Sequence, residues 1–106
     1  MSLKLHPAPD RVDEVVRALG NLLGPTKVQP GCVECGVYQE TGNPGGILYQ
    51  EQWSSWKHLE AHLKSDRFAR ILELMEVSTD PPELTFHGIH EIRGIEYVHE
   101  VRGTRT

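Results

Sequence analysis

Six histidines, two cysteines and a set of aromatic side chains are the residues of this 106-residue chain best suited to chemistry at neutral pH. His58 and His62 stand four apart, a spacing that on a helix can set two nitrogens on one metal. The zincin pattern needs Glu directly after the first His, whereas Leu59 stands there and no third ligand is evident, so no metal site is expected. Cys32 and Cys35 form a C-x-x-C, which elsewhere binds zinc or cycles between thiol and disulfide. Both lie in a strand-like stretch, where residues three apart point to opposite faces, so ordinary packing is expected and a disulfide is not. Tyr38, Tyr49, Trp53, Phe86 and Tyr97 could line a pocket for a flat ligand, with tyrosine hydroxyls to orient it, or serve as core. His87 and His90 should point to opposite strand faces, so at most one of them enters a given pocket.

These residues have to be positioned by elements that the pattern makes visible. Lys4 to His6 is a short candidate strand, ended by Pro7 and Pro9. Val12, Val15, Val16, Leu19, Leu22 and Leu23 recur at intervals of three and four, which predicts an amphipathic helix stopped by Gly24-Pro25. Cys32 to Glu40 and Ile47 to Trp53 are predicted strands, joined as a hairpin through a loop of four to six residues in Thr41–Gly46. Ser54 or Ser55 can cap the helix that carries Trp56, Leu59 and Leu63. Ser65-Asp66 is a second start signal, so the helix should break near Lys64 to Arg67 before Phe68, Ile71, Leu72 and Met75 resume the stripe. On this wheel His62 lies at the edge of the apolar stripe and His58 further round, toward water. Asp80-Pro81-Pro82 ends the helix, and Leu84, Phe86 and Ile89 to Val101 are predicted strand, with an interruption at Gly94.

The order strand, helix, strand, strand, helix, strand is the split arrangement of a ferredoxin-like α+β fold, βαββαβ with one antiparallel sheet. One domain over residues 1–106, with a core of about 3–101, suits the length. Both helices would cover one sheet face. Apolar and aromatic residues at successive positions, such as Ile47, Leu48 and Tyr49 or Ile95, Tyr97 and Val98, predict that the other face is covered by a second copy, with Leu84 to Val101 contributing. The formal charge of -4 gives no footprint for nucleic acid. No stretch is long and apolar enough for a membrane span, and no signal peptide is evident, so a cytoplasmic protein is expected.

Pro30 to Tyr38 (PGCVECGVY), Leu48 to Trp53 (LYQEQW), Leu59 to His62 (LEAH) and Ser65 to Phe68 (SDRF) together resemble the recurring pattern of antibiotic biosynthesis monooxygenase domains, from about Leu3 to Ile92. The resemblance implies a dimeric α/β barrel in which two four-stranded sheets close on each other, each subunit keeping a pocket between sheet and helices. It also implies oxygenation of an electron-rich aromatic, a quinol or an anthrone, by O2 without metal, flavin or other cofactor. Such a reaction asks of the protein a base, an apolar pocket and positioning. His62 matches the histidine of the family's helix motif and is the candidate proton acceptor, with Tyr49, Trp53, Tyr38 and Phe86 as candidate substrate contacts. Arg67 stands where the family often has a second histidine, which argues against a mechanism that relies on two. The haem-degrading branch needs a helix histidine where this chain has Leu72 and Leu74, and a Trp where it has His62, so haem is disfavoured. The expected protein is a cofactor-independent monooxygenase working as a homodimer on a small aromatic substrate and O2. Its rivals are a non-catalytic ligand-binding or stress-related barrel and an isomerase or lyase that shares the base and pocket.

Overall fold

The computed structural model describes residues 1–88 and 92–103. Strand β1 (Ser2–Leu5) leads through a single 3-10 turn to helix α1 (Val12–Lys27). The hairpin β2 (Cys32–Glu40) and β3 (Asn43–Trp53) is followed by helices α2 (Trp56–Leu63) and α3 (Asp66–Met75). Strand β4 (Glu83–His87), the two-residue β5 (Ile92–Arg93) and helix α4 (Ile95–Arg102) complete the chain. The sheet order is β2-β3-β1-β4-β5 with antiparallel pairing throughout, the ferredoxin-like order with a short added edge. Alternation in the strands sends Leu3, Leu5, Ile47, Tyr49, Leu84 and Phe86 into the core. There they meet Val15 and Leu19 of α1, Leu59 and Leu63 of α2, and Phe68 and Ile71 of α3.

The two serine caps form as the sequence requires. Ser55 Oγ accepts from the His58 N–H and Ser65 Oγ from the Phe68 N–H, and the helical path breaks between Leu63 and Asp66. Other expectations are corrected. Helix α1 does not stop at Gly24-Pro25 but runs to Lys27 with Pro25 inside it. Pro25 forfeits one helical hydrogen bond, to the Asn21 carbonyl, and the residues after it nevertheless keep the helical path and bury Thr26. The hairpin loop is two residues, not four to six: Glu40 pairs with Asn43, and Gly42 takes the positive φ of 84° that so tight a turn demands.

Cys32 and Cys35 do not point to opposite faces. Cys32 pairs with Trp53 and Glu34 with Gln52, so Val33 is an extra residue, a β-bulge that resets the alternation. Cys35 then pairs with Glu51, both cysteines share the helix-facing side, and Val33 is expelled to 59% exposure.

The segment from Ile95 onward is helix, not strand. Gly94 caps α4, which buries Tyr97 and Val98. The Tyr97 hydroxyl donates to Glu60 Oε2 at 2.7 Å, and the Arg102 guanidinium donates to the Leu63 carbonyl, docking α4 on α2. Ile89, His90 and Glu91 lie outside the described residues. The sheet's other face is also more polar than expected, carrying exposed Lys4, Glu34, Gln50, Gln52, Glu83 and His87. Its apolar content is concentrated in the cross-strand pair Tyr38 and Leu48.

Candidate functional site

Strand β3 presents Tyr49, Glu51 and Trp53 at alternate positions of its helix-facing side, and α2 presents His62 one turn beyond Leu59. The Ser55 cap sets the phase of α2, so that Leu59, His62 and Leu63 turn inward together. The Ser65 hydroxyl, at 2.6 Å from the His62 carbonyl, ties down the end of that turn.

At the meeting point Glu51 is an acceptor held by three donors. The Tyr49 hydroxyl donates to Oε2 at 2.6 Å, the Trp53 indole N–H donates to Oε1 at 2.9 Å, and His62 Nε2 lies 2.8 Å from Oε2. The side chains of Glu51 and His62 are both wholly shielded from solvent. A buried carboxylate is tolerable because its lone pairs are engaged this fully. The imidazole is sandwiched by rings: Trp53 stacks on it at 4.7 Å between centroids, and Phe68 meets it edge-on at 5.6 Å. Behind Tyr49 the Cys35 Sγ lies 3.3 Å from the phenol oxygen. Burial pushes the Cys35 thiol up to about 11, and with the phenol proton committed to Glu51 the Cys35 S–H is the donor to the Tyr49 oxygen. Burial and then the charge of Glu51 raise Tyr49 well above the usual phenol range, so it stays a donor.

On the far side of the imidazole lie Gln29 and Arg67. With its amide oxygen toward Arg67 and its amide nitrogen toward His62 Nδ1 at 3.2 Å, Gln29 is paired at both ends; the reverse orientation sets the amide N–H2 against the guanidinium and pairs its oxygen only with a protonated Nδ1.

A cleft of about 490 Å³ opens beside this network, lined by Trp53, Ser55, Trp56, Leu59, His87 and Gly88 among others. Gly88 is required by close approach, since a Cβ there would lie 2.3 Å from the Trp56 ring. A smaller cleft of about 260 Å³ on the open sheet face shares His87 and is bordered by Gly36, Tyr38 and Gln50.

The structure therefore gathers His62, Tyr49 and Trp53 into one cluster and leaves the other candidates outside it. Trp53 spans the network and the larger cleft, whereas His62 and Tyr49 lie behind the cleft wall. Tyr38, 48% exposed, is on the opposite sheet face. Phe86 is fully buried, edge-on to Tyr97 at 5.3 Å. His58 and His62 turn to different partners, His58 Nδ1 meeting Ser55 Oγ at 2.8 Å. Sequence reasoning missed Glu51, Gln29 and Arg67 as site residues. Glu51 did carry a signal, being a charge at an inward position between two aromatic donors. Arg67 was marked only as standing at the place of the family's second histidine, and Gln29 carried no signal, because only folding brings the α1–β2 loop to α3.

The sequence profile of the antibiotic biosynthesis monooxygenase family matches residues 2–74. An uncharacterised protein of Synechocystis sp. is 23% identical over 84 residues, and the chain, 78% of which is aligned, spans 57% of that relative's length. A conserved protein of Methanosarcina mazei superposes with a TM-score of 0.71 at 29% identity, over 87% of this chain and 84% of that one. The crystal structure of an antibiotic biosynthesis monooxygenase superposes with a TM-score of 0.68 at 17% identity, over 76% and 86% of the two chains. A profile match over more than half of the residues, on a backbone of the same architecture, decides the assignment: this chain belongs to the antibiotic biosynthesis monooxygenase family.

Proposed function

We propose that the protein is a cofactor-independent monooxygenase that oxidises a small electron-rich aromatic, a quinol or an anthrone, with O2 as co-substrate. The observation that carries this reading is the Glu51–His62 pair, buried and adjoining an aromatic-walled cleft through Trp53. For an anthrone the balance is simple. The pair removes one C–H proton, the resulting carbanion gives an electron to O2, and recombination of the two radicals forms a peroxide. Loss of the second C–H proton with the peroxide's outer oxygen leaves a carbonyl and one water. The protein supplies the base, the flat apolar walls and the exclusion of solvent.

Access to the pair requires Trp53 to swing toward the cleft. That costs one hydrogen bond to a charged group, about 1.5–3 kcal/mol, and an aromatic stack, about 0.5–1.5 kcal/mol. An open form at roughly 0.05–3% follows, a minor state sufficient to admit substrate. We further propose that the chain works in the cytoplasm as a homodimer, without a nucleic-acid or membrane partner, and that the exposed Tyr38–Leu48 pair lies in the subunit interface. Among the described residues no helix is long and apolar enough to cross a membrane.

Oxygen uptake measured against a panel of quinols and anthrones tests the reading. Turnover should be lost in His62→Ala and Glu51→Gln and retained in His58→Ala. The shielding of the pair favours a second reading, a ligand-binding barrel without catalysis. In that case aromatic ligands would quench tryptophan fluorescence while no member of the panel consumed oxygen.

A further inference from the structure

His62 and Glu51 form a pair whose proton has two homes, and the side chains behind the imidazole decide between them. A carboxylate at 2.8 Å ordinarily draws a second proton onto an imidazole and makes the pair ionic. Here the second proton would have to sit on Nδ1, which faces Gln29. The Gln29 amide oxygen is already taken by Arg67, whose Nη2 is 2.7 Å away and whose Nε approaches the same oxygen. The amide group that reaches Nδ1 is therefore the N–H2, a donor, and a donor needs a lone pair opposite it. For His62 to become imidazolium the amide would have to turn over, setting its N–H2 against the guanidinium and losing both bonds from Arg67.

We propose that Gln29 and Arg67 are positioning residues that hold His62 as a neutral Nε2–H donor, leaving Glu51 Oε1 as the proton-accepting atom of the pair. Nε2–H then points at Glu51 Oε2, where the Tyr49 hydroxyl also donates, while among the described residues Oε1 is engaged by the Trp53 indole alone. Movement of Trp53 toward the cleft bares Oε1 and one face of the imidazole, whose two nitrogens stay engaged by Glu51 and Gln29. Among the described residues the charged and titratable groups beside the pair are Glu51 and Tyr49 from β3, Arg67 from α3, Cys35 of β2 behind Tyr49, and the Met1 ammonium, which donates to the Glu51 backbone carbonyl. Arg67 is the cation that sets the direction of the chain of donors. The sequence of contacts thus runs one way, from guanidinium to amide to imidazole to carboxylate, and a proton arriving from substrate stops at the carboxylate.

The inference deepens the proton-acceptor role proposed above, but its first readout needs no substrate. Two-dimensional 1H–15N spectra of the imidazole nitrogens, recorded on the 15N-labelled full chain at pH 7, distinguish the neutral Nε2–H form, the neutral Nδ1–H form and the imidazolium. The wild type should show the neutral Nε2–H form. Gln29→Glu places an acceptor at Nδ1 and should convert His62 to the imidazolium. Arg67→Met, at a half-buried position and less demanding on folding, should free the amide to turn and raise the imidazolium fraction at least tenfold. Arg67→Lys, a cation without the planar fork, should restore the wild-type pattern in part. An imidazolium or an Nδ1–H form in the wild type would overturn the proposal, as would an Arg67→Met spectrum identical to wild type. Loss of oxygen uptake with the neutral Nε2–H form intact would strike at the oxygenase reading and leave this one standing.

Discussion

The two faces of β3 share one backbone and differ in almost everything else. Outward, Leu48, Gln50 and Gln52 stand on a mixed, largely solvated surface. Inward, two residues in step with Ile47 are replaced by groups that bond: Tyr49 and Glu51 are sealed, and Trp53 closes the end of the row. Polar residues outward cost nothing because water satisfies them, whereas each inward one has to find its partner within the protein. The lesson is that the inward row is a single unit, in which removing one member strands the others, while the outward row is a set of independent side chains.

The sharpest way to break that contrast is to truncate His62. His62→Ala removes a buried ring and strips a donor from a buried carboxylate, so a loss of about 3–5 kcal/mol is expected in urea unfolding. Tyr49→Phe keeps the ring and removes only the hydroxyl that holds Glu51, and should cost about 1.5–3 kcal/mol, the range for a bond to a charged group. A loss below half a kcal/mol in either variant would mean that the inward row is not a unit.

Alkaline pH sharpens the same contrast through Cys35 and Tyr49. Both acids are raised in the folded state by burial, so the unfolded chain gives up their protons first. The Cys35 contribution is complete below pH 9, the ordinary value of the thiol, and is lost as pH rises to about 11, while that of Tyr49 begins to fall only above the ordinary phenol value of 10. Urea midpoints should therefore fall between pH 9 and pH 11. Cys35→Ala should flatten that decline at its lower end, and an unchanged slope would remove Cys35 from the account.

The outward row supplies the smallest effects. Gln50→Ala should shift stability by no more than about 0.5 kcal/mol, as expected for an exposed position without partners. Tyr38→Glu should leave the monomer's stability within about the same range. Light scattering should nonetheless show it reducing the mass from twice the 12.0 kDa chain toward the chain itself, if the Tyr38–Leu48 pair lies between subunits.

How much of this was legible in the amino-acid sequence depended on how local the deciding interaction is. The stripe of α1, the alternation of β2 and β3, and the Ser55 and Ser65 caps are contests settled within a few residues, so their outcome is written in adjacent letters. The resemblance carried by those elements also led to the right family. The last segment was misread because Ile95, Val98 and Val101 favour strands by type. Their spacing, with Tyr97, suits a helix equally well, and the docking of Tyr97 on Glu60 and of Arg102 on the end of α2 decides for the helix.

By itself the sequence determined the element order, the helix break at Lys64-Ser65 and the membership of the ferredoxin-like fold, because hydrophobic periodicity and capping act over a few residues. Only the tertiary structure decided that Val33 bulges and puts both cysteines on one face, and that Tyr49, Glu51 and His62 close into one sealed network with Trp53 as its wall. It alone decided, too, that Gln29 and Arg67 stand behind the imidazole. The reason is distance along the chain: Gln29 is 33 residues from His62 and Glu51 is 11. Whether a buried polar group is satisfied is a property of the groups that packing brings within about 3 Å of it, which no local pattern encodes.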